Sequence, residues 1–511
     1  MTGGPLQRTS PAISNRQTPL QVHDLVVRQR EYFLSGATRP IEWRVRQLEA
    51  MRAMFEENRA EMFAVLRQDL HRNDVDSDIM DIGFCVNEAD YALKHLSDWV
   101  EPSRADTLLI FEPGHVRIRH DPLGVTLIIA PWNEPFELLF APLAPAIAAG
   151  NTAVLKPSDT VPNVSSLIAR LVGEYMDPKA FAVVEGGVAE TTELLDEKWD
   201  LIFFTGSPQV GQIVHQAAAK NLTPCVLELG GKNPTIVHSS ANIRTAARRI
   251  AFGRFVNGGQ LCTAPDHVLV WPEVHDELVK ELELATKAYY GSDPQMSPDY
   301  GRVINRKAFD RLQKLLESGK PIIGGQTDAD DLYIAPTVLV DVAWDSPIMQ
   351  EEIFGPILPI LEVDSVEAVI AWVNSIPSPL GLYVFTEDDD VAEQILSATS
   401  SGDAVINDCA VHPVVPELPF GGVGTSGMGK YHGHWGFEAF TNARGVLHHS
   451  PLIDPAVKYP PYAKHKLERK VEMKLLPRTS GLSGGRAVGR LKNRQLIAKQ
   501  MDSKQTKYMV N

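Results

Sequence analysis

VLELGGKNPTIV at 226–237 and GRFVNGGQLCTAP at 253–265 frame the centre of this chain. The first reads as a β-rich run, the end of CVLELG, that passes into Gly230-Gly231. Between the two stretches Ile243, Ala246, Ala247, Ile250 and Ala251 recur at i, i+3, i+4, i+7 and i+8, the apolar face of a helix. An acid after one strand and a thiol after the next helix can be brought to one cleft. An acid, Glu228, closes the first strand, and a thiol, Cys262, sits in the last loop 34 positions on. Glycine lets the main chain approach a ligand closely. Taken singly, Cys262 reads as a small buried hydrophobe and Glu228 as a solvated strand end. Placed together, the thiol is a carbon nucleophile and the carboxylate a general base.

Outward from this centre, residues 124–237 alternate strands and helices. VTLIIA, TAVLK, FAVVEG, LIFFTG and CVLELG are the strands, with PQVGQIVHQAAAKN one of the helices. That order predicts a parallel sheet in a doubly wound α/β domain, whose ligands bind beyond the carboxyl ends of the strands. Asn133, Lys156, Gly206 and Glu228 all fall just after predicted strands. A second α/β set follows the central helix: HVLVWP, KPIIGG, YIAPTVLVDV, ILPILEV, GLYVFTE and DAVIND. Upstream, Leu25 to Val100 is amphipathic and helical, and TLLIFEPGHVRIRHDPLGVTLIIA reads as a hairpin through Pro113-Gly114 and Pro122.

A chain of 511 residues with 44% apolar and 22% charged content is that of a globular protein of two or three domains. It has no apolar run long enough to span a bilayer, and its first residues lack the apolar core of a secretory signal. Cys85, Cys225, Cys262 and Cys409 are scattered without metal-ligand or disulfide-framework spacing, so no metal is expected and a reducing, cytoplasmic compartment is. Residues 451–511 hold 14 Lys and Arg against 4 Asp and Glu, a balance of +10 that leaves −25 on the first 450. The acidic body argues against nucleic acid as a partner. The basic tail reads as a solvated segment, or as a peripheral contact with an anionic membrane.

Seven motifs lie in one order: PWNEPF (131–136), GNTAVLKPSD (150–159), FFTGSPQVG (203–211), LELGGK (227–232), NGGQLCTAPD (257–266), QEEIFGPILPI (350–360) and PFGGVGTSGMGKYHG (419–433). Together with the Glu-to-Cys separation they resemble the aldehyde dehydrogenase superfamily, and more narrowly its class 3 branch, over about residues 25–445. The resemblance implies a Rossmann-like NAD-binding domain from 21–102 and 124–229, and a second α/β catalytic domain at 230–429. It adds a small β-hairpin oligomerisation element from 103–123 and 430–450, flanked by a disordered 1–20 and the tail 451–511. A homodimer is implied with it.

The same resemblance implies the chemistry. Cys262 would attack an aldehyde, Asn133 and the Cys262 N–H would hold the oxyanion, and Glu228 would activate the water that releases an acid. Trp132, Lys156, Asp159, Gly206, Ser207, Val210, Gly211, Leu229, Glu352 and Phe354 would hold the dinucleotide. No G-x-G-x-x-G fingerprint is present; GSPQVG at 206–211 takes its place at a helix start, which can face a pyrophosphate. Pro208-Gln209 departs from the usual Thr-Gly, and Asp159 stands where the family often has Glu, so NAD is expected with NADP as the alternative. Glu134 replaces a common aromatic at the mouth of the substrate tunnel. The expected substrate is a lipophilic aldehyde: long-chain aliphatic, aromatic or apocarotenoid. The rival readings are a coenzyme A-acylating enzyme, an inactive relative, and a cysteine peptidase with His267 as its lone candidate partner.

Overall fold

The computed structural model describes residues 19–107, 111, 114–452, 454 and 459–461. Residues 1–18 and most of the basic tail, both singled out in the sequence, lie outside the described residues. The chain forms two compact units, one of residues 1–101 and 120–443, the other of 102–119 and 444–511.

The first unit is organised by two sheets. In one, the strands Phe181–Val183, Thr152–Lys156, Val125–Ile129, Leu201–Gly206 and Cys225–Leu229 are neighbours in that order and all parallel. Numbered along the chain they run 3-2-1-4-5, the doubly wound order. The short strand Gly427–Met428 adds antiparallel to Cys225–Leu229. All five residues of Val125–Ile129 and all five of Thr152–Lys156 are buried, as a strand covered by helices on both faces requires. One covering layer is built from Ile41–Glu57, Gly83–Val100 and Leu143–Ala149, with Met51, Phe55, Leu96, Phe140 and Ile147 in the shared core.

The second sheet has seven strands, Asp403–Ile406, Gly381–Phe385, Pro234–Val237, His267–Val270, Ile357–Glu362, Thr337–Val340 and Lys320–Ile323. Six are parallel, and the exposed Lys320–Ile323 edge runs antiparallel to Thr337–Val340. Its core includes Ile236, Leu269, Leu339 and Val384. All six runs named in the sequence carry strands here.

The hairpin is different. Gly114–Pro122 pairs antiparallel with Ser103–Ala105, Arg104 facing Arg117, while Val125–Ile129 leaves to become the middle of the parallel sheet. The reason lies in burial: Gly114–Pro122 begins with alternating exposure, whereas Val125–Ile129 is buried at every position. A hairpin with one wet face cannot hold such a run. The second compact unit contains most of this small sheet, completed by Thr441–His449, with His115 and His448 stacked within it.

The central helix runs Ile243–Phe255, its start capped by the Asn242 side chain accepting from the Thr245 N–H at 3.0 Å. It ends in a tight turn in which Asn257, Gly258 and Gly259 all take positive φ (51°, 62° and 72°). A side chain on Gly259 would collide with the Gly355 carbonyl, so glycine is required there twice over. This reversal brings Cys262 back towards the first sheet.

Candidate active site

The switch point of the first sheet lies between Val125–Ile129 and Leu201–Gly206, whose connections run to opposite sides. Their register sets Ile129 opposite both Lys156 and Phe204, and Glu228 opposite Thr205, so four carboxyl ends open together. A cleft of about 600 Å³ opens there. Trp132, Asn133, Gly206, Ser207, Glu228 and Cys262 line it, and Glu352 and Phe354 face it from the segment before Ile357–Glu362. A second cavity of about 230 Å³ has walls of Met80, Phe84, Phe252, Val256 and Phe420, interrupted by Glu134 and Glu137. Cys262 and Leu138 line both spaces. The thiol thus stands at the junction of the cleft and a largely apolar chamber.

Long-range hydrogen bonds hold the thiol loop. Asn233 Nδ2 donates to the Cys262 carbonyl at 2.7 Å and to Ala264 at 3.1 Å, while its oxygen accepts from the Gly381 N–H at 2.8 Å. Asn257 Nδ2 donates to the Asn133 carbonyl at 3.1 Å, and Arg72 to the same oxygen at 3.2 Å. Arg72 is in turn paired with buried Asp81, whose carboxylate accepts the Phe136 and Glu137 N–H groups, both at 2.8 Å. The Asn133 backbone is therefore fixed from two sides. Its side-chain amide donates to Glu134 Oε2 at 3.2 Å.

Burial dominates the electrostatics. It pushes the Cys262 thiol well up, and Glu228, Glu134, Glu137 and Glu352 add to the effect. Glu228 is raised well above the ordinary carboxylate range by burial, then by Glu134 and Glu352, with a hydrogen bond from the thiol opposing. That approach falls short of a well-formed bond: both Glu228 oxygens are buried without a geometrically satisfactory partner among the described residues. Glu352 is pushed up to about 8 by burial and Asp266, and the Gly231 N–H opposes. Burial thus favours the protonated forms of the thiol and of these acids.

One rim of the cleft suits a dinucleotide. Ser207 caps the helix Pro208–Ala219, accepting from the Val210 N–H at 3.4 Å, and Pro208 fills its first turn. A Cβ on Gly206 would stand 2.6 Å from the Phe204 ring, and one on Gly211 2.7 Å from Leu229, so these residues let the helix start lie close to the sheet. Trp132 and Phe354 meet edge to face at 5.6 Å. Val210 is exposed, whereas Gly211 and Leu229 are buried beneath the rim rather than lining it. Lys156 and Asp159 also lie outside this cleft, at the end of Thr152–Lys156. The Lys156 ammonium is buried and donates to the Pro157 carbonyl at 2.7 Å and the Gly186 carbonyl at 2.5 Å, and Asp159 is exposed. His267 is buried in the second sheet, accepting from Trp372 Nε1 at 2.9 Å, and lines neither space.

Several supporting residues go beyond those named from the sequence. Lys232 and Asp266 form a buried ion pair, and they too are 34 positions apart. Lys232 also donates to the Ile348 and Glu351 carbonyls at 2.8 and 2.9 Å, and Asp266 accepts the Ile353 N–H at 2.9 Å. The pair thereby anchors the segment carrying Glu352 and Phe354. Arg311 lines the cleft and donates to the Ile353 carbonyl at 2.6 Å. Lys232 and Asp266 stand inside two of the quoted motifs, which is the signal that could have found them. Burial alone would raise Asp266, but Lys232, His267 and Arg254 hold it well below the usual range. Its contribution to stability is present above the unfolded pKa near 3.9 and lost as pH falls through the depressed folded value. Asp266→Asn leaves the ammonium buried without its counter-charge, at a cost of about 3–5 kcal/mol. Thermal unfolding checks this; an unshifted melting temperature would show the pair to be dispensable.

Comparison with known proteins places these features in company. A model of the aldehyde dehydrogenase family matches residues 5–446. Human aldehyde dehydrogenase family 3 member B1 is 46% identical over 446 residues, covering 87% of this chain and 95% of the relative. Family 3 member H1 of Arabidopsis thaliana is 44% identical over 452 residues, covering 88% and 93%. The mouse protein named aldehyde dehydrogenase, dimeric NADP-preferring, is 46% identical over 442 residues, covering 86% and 98%. Among solved structures, the substrate-bound state of Staphylococcus aureus AldH superposes with a TM-score of 0.85 at 42% identity, over 86% of this chain and 97% of that one.

Proposed function

The chain belongs to the aldehyde dehydrogenase family, and from that premise we propose that it oxidises a lipophilic aldehyde to the carboxylic acid with NAD, or with NADP as the alternative. The observation that carries this reading is the position of Cys262, on the wall of the cleft and of the apolar chamber at once. A lipophilic chain fits the chamber, since Met80, Phe84, Phe252, Val256 and Phe420 offer it dispersion contacts and no charge.

In this reading Glu228, once ionised, takes the proton of Cys262 Sγ as the sulfur attacks the aldehyde carbon. The carbonyl oxygen becomes an oxyanion, stabilised by the Asn133 amide and the Cys262 N–H. Asn133 must first leave Glu134, and its backbone is already immobilised by Arg72 and Asn257. A nicotinamide held at the cleft by Trp132, Glu352 and Phe354 would supply the two-electron oxidation that takes the thiohemiacetal on Cys262 to the thioester. Glu228 passes the thiol proton to solvent and, as a carboxylate, takes a proton from the water that adds to the thioester; the acid leaves and the thiolate regains a proton. The orphaned carboxyl of Glu228 suits this role, because no protein donor competes with the water. Trp132, Gly206, Ser207, Glu352 and Phe354 hold the dinucleotide at the cleft, with Lys156 and Asp159 turned to the adenosine end.

A carboxylate near the adenosine ribose disfavours a 2′-phosphate. Asp159→Ala should shift the ratio of the Michaelis constants for NAD and NADP towards NADP; an unchanged ratio would remove Asp159 from cofactor choice. The mouse relative's name suggests a homodimer for this chain as well. No helix among the described residues is long and apolar enough to cross a membrane. Cytoplasmic residence with peripheral attachment through the basic 451–511 segment is the accompanying proposal, at about 1 kcal/mol per basic residue near an anionic surface. Deleting that segment should abolish salt-sensitive sedimentation with anionic liposomes, and unchanged pelleting would end the idea.

A further inference from the structure

We propose that the Glu137 carboxyl, with Glu134 beside it, selects aldehydes that carry a hydroxyl close to the carbonyl. This rests on the aldehyde oxidation proposed above and narrows its substrate. Glu137 opens the short helix Glu137–Phe140 and is only 5% exposed. Its N–H is fixed by Asp81, and its side chain forms part of the chamber wall with no hydrogen bond to a described residue. It faces the 230 Å³ chamber, where Cys262 is also exposed. Elsewhere the walls are mostly apolar, with Asp76 the other acid and no Lys, Arg or His among the lining residues to neutralise a carboxylate. A buried polar group without a partner is costly, and a chamber built only for hydrocarbon would not keep one.

The partner it lacks is a small neutral donor and acceptor. Burial, then Glu134 and Asp81, hold Glu137 well above the ordinary carboxylate range, and burial lifts Glu134 to about 8. Near neutral pH the two are carboxylic acids, and a neutral hydroxyl can both donate to and accept from such a pair. An ammonium would gain only after one of them ionised. Both acids share the walls of one 230 Å³ chamber with Cys262, which brings them near the reacting carbon. The hydroxyl therefore belongs on the carbons next to the aldehyde, and the remaining chain lies against Phe84, Phe252 and Phe420.

The test compares hexanal with 3-hydroxyhexanal in steady-state kinetics of the full chain with NAD. The parent is expected to favour the hydroxylated aldehyde by at least about 10-fold in kcat/KM, because a site built to bond a hydroxyl discriminates against its absence. Glu137→Met keeps the bulk and removes both polar atoms, so the ratio should fall to near one. Melting curves run alongside, and Glu137→Ala replaces the methionine variant if that one does not fold. A parent ratio near one, or a preference that survives in these variants, overturns the inference alone. A parent that oxidises neither aldehyde overturns the dehydrogenase reading and this inference with it.

Discussion

Glu228→Gln is expected to release one burst of NADH per active site and then turn over at roughly 10²-fold or more below the parent. The burst survives because Cys262 can still add to the aldehyde, its proton passing to solvent. The slow phase follows because an amide cannot take a proton from water. Gln matches Glu in size, so the buried pocket between Cys225–Leu229 and the thiol loop keeps its packing. The parent also carries a pH signature. Burial raises Glu228 and Cys262 alike, so turnover should climb with pH as they ionise. The glutamine variant should lose the Glu228 part of that rise. Stopped-flow fluorescence reads both quantities, and normal steady-state turnover in the variant would contradict the base.

Cys262→Ser carries the larger effect, a loss on the order of 10⁴-fold or more in kcat with no burst. A serine hydroxyl in the same place is far less ionised than a thiol and a poorer carbon nucleophile. The other three cysteines cannot take over. Cys85 and Cys409 are buried in the cores, and Cys225 is pushed up to about 11 by burial. None of them lines the cleft or the chamber. Binding of the dinucleotide, followed by quenching of tryptophan fluorescence, should persist, since Trp132, Ser207 and Glu352 are untouched. Aldehyde oxidation at the parental rate would remove Cys262 from the chemistry.

Much of this was legible before any coordinates. The strands 125–129, 152–156 and 201–206 are so uniformly apolar that a doubly covered parallel sheet is their natural home. Their carboxyl ends then had to carry the ligand site, and Asn133, Gly206 and Glu228 do meet at its cleft. The hairpin was not legible, because the alternating run 114–122 abuts the wholly buried run 125–129, and only burial separates them. The supports of the site were equally hidden. Arg72 reaches Asn133 across 61 positions and Asn257 reaches it across 124, contacts that no local period announces. Glu137 shows the same limit from the other side. In sequence it is one acid at the start of a short helix; only the structure reveals that it is buried in the wall of the chamber that Cys262 also lines.

The most direct measurement is mass spectrometry of the Glu228→Gln protein quenched just after mixing with NAD and hexanal. A hexanoyl group on the peptide containing Cys262, and on no peptide containing Cys85, Cys225 or Cys409, is the expected result. NADH formed while the Cys262 peptide stays unmodified would contradict covalent capture at this thiol.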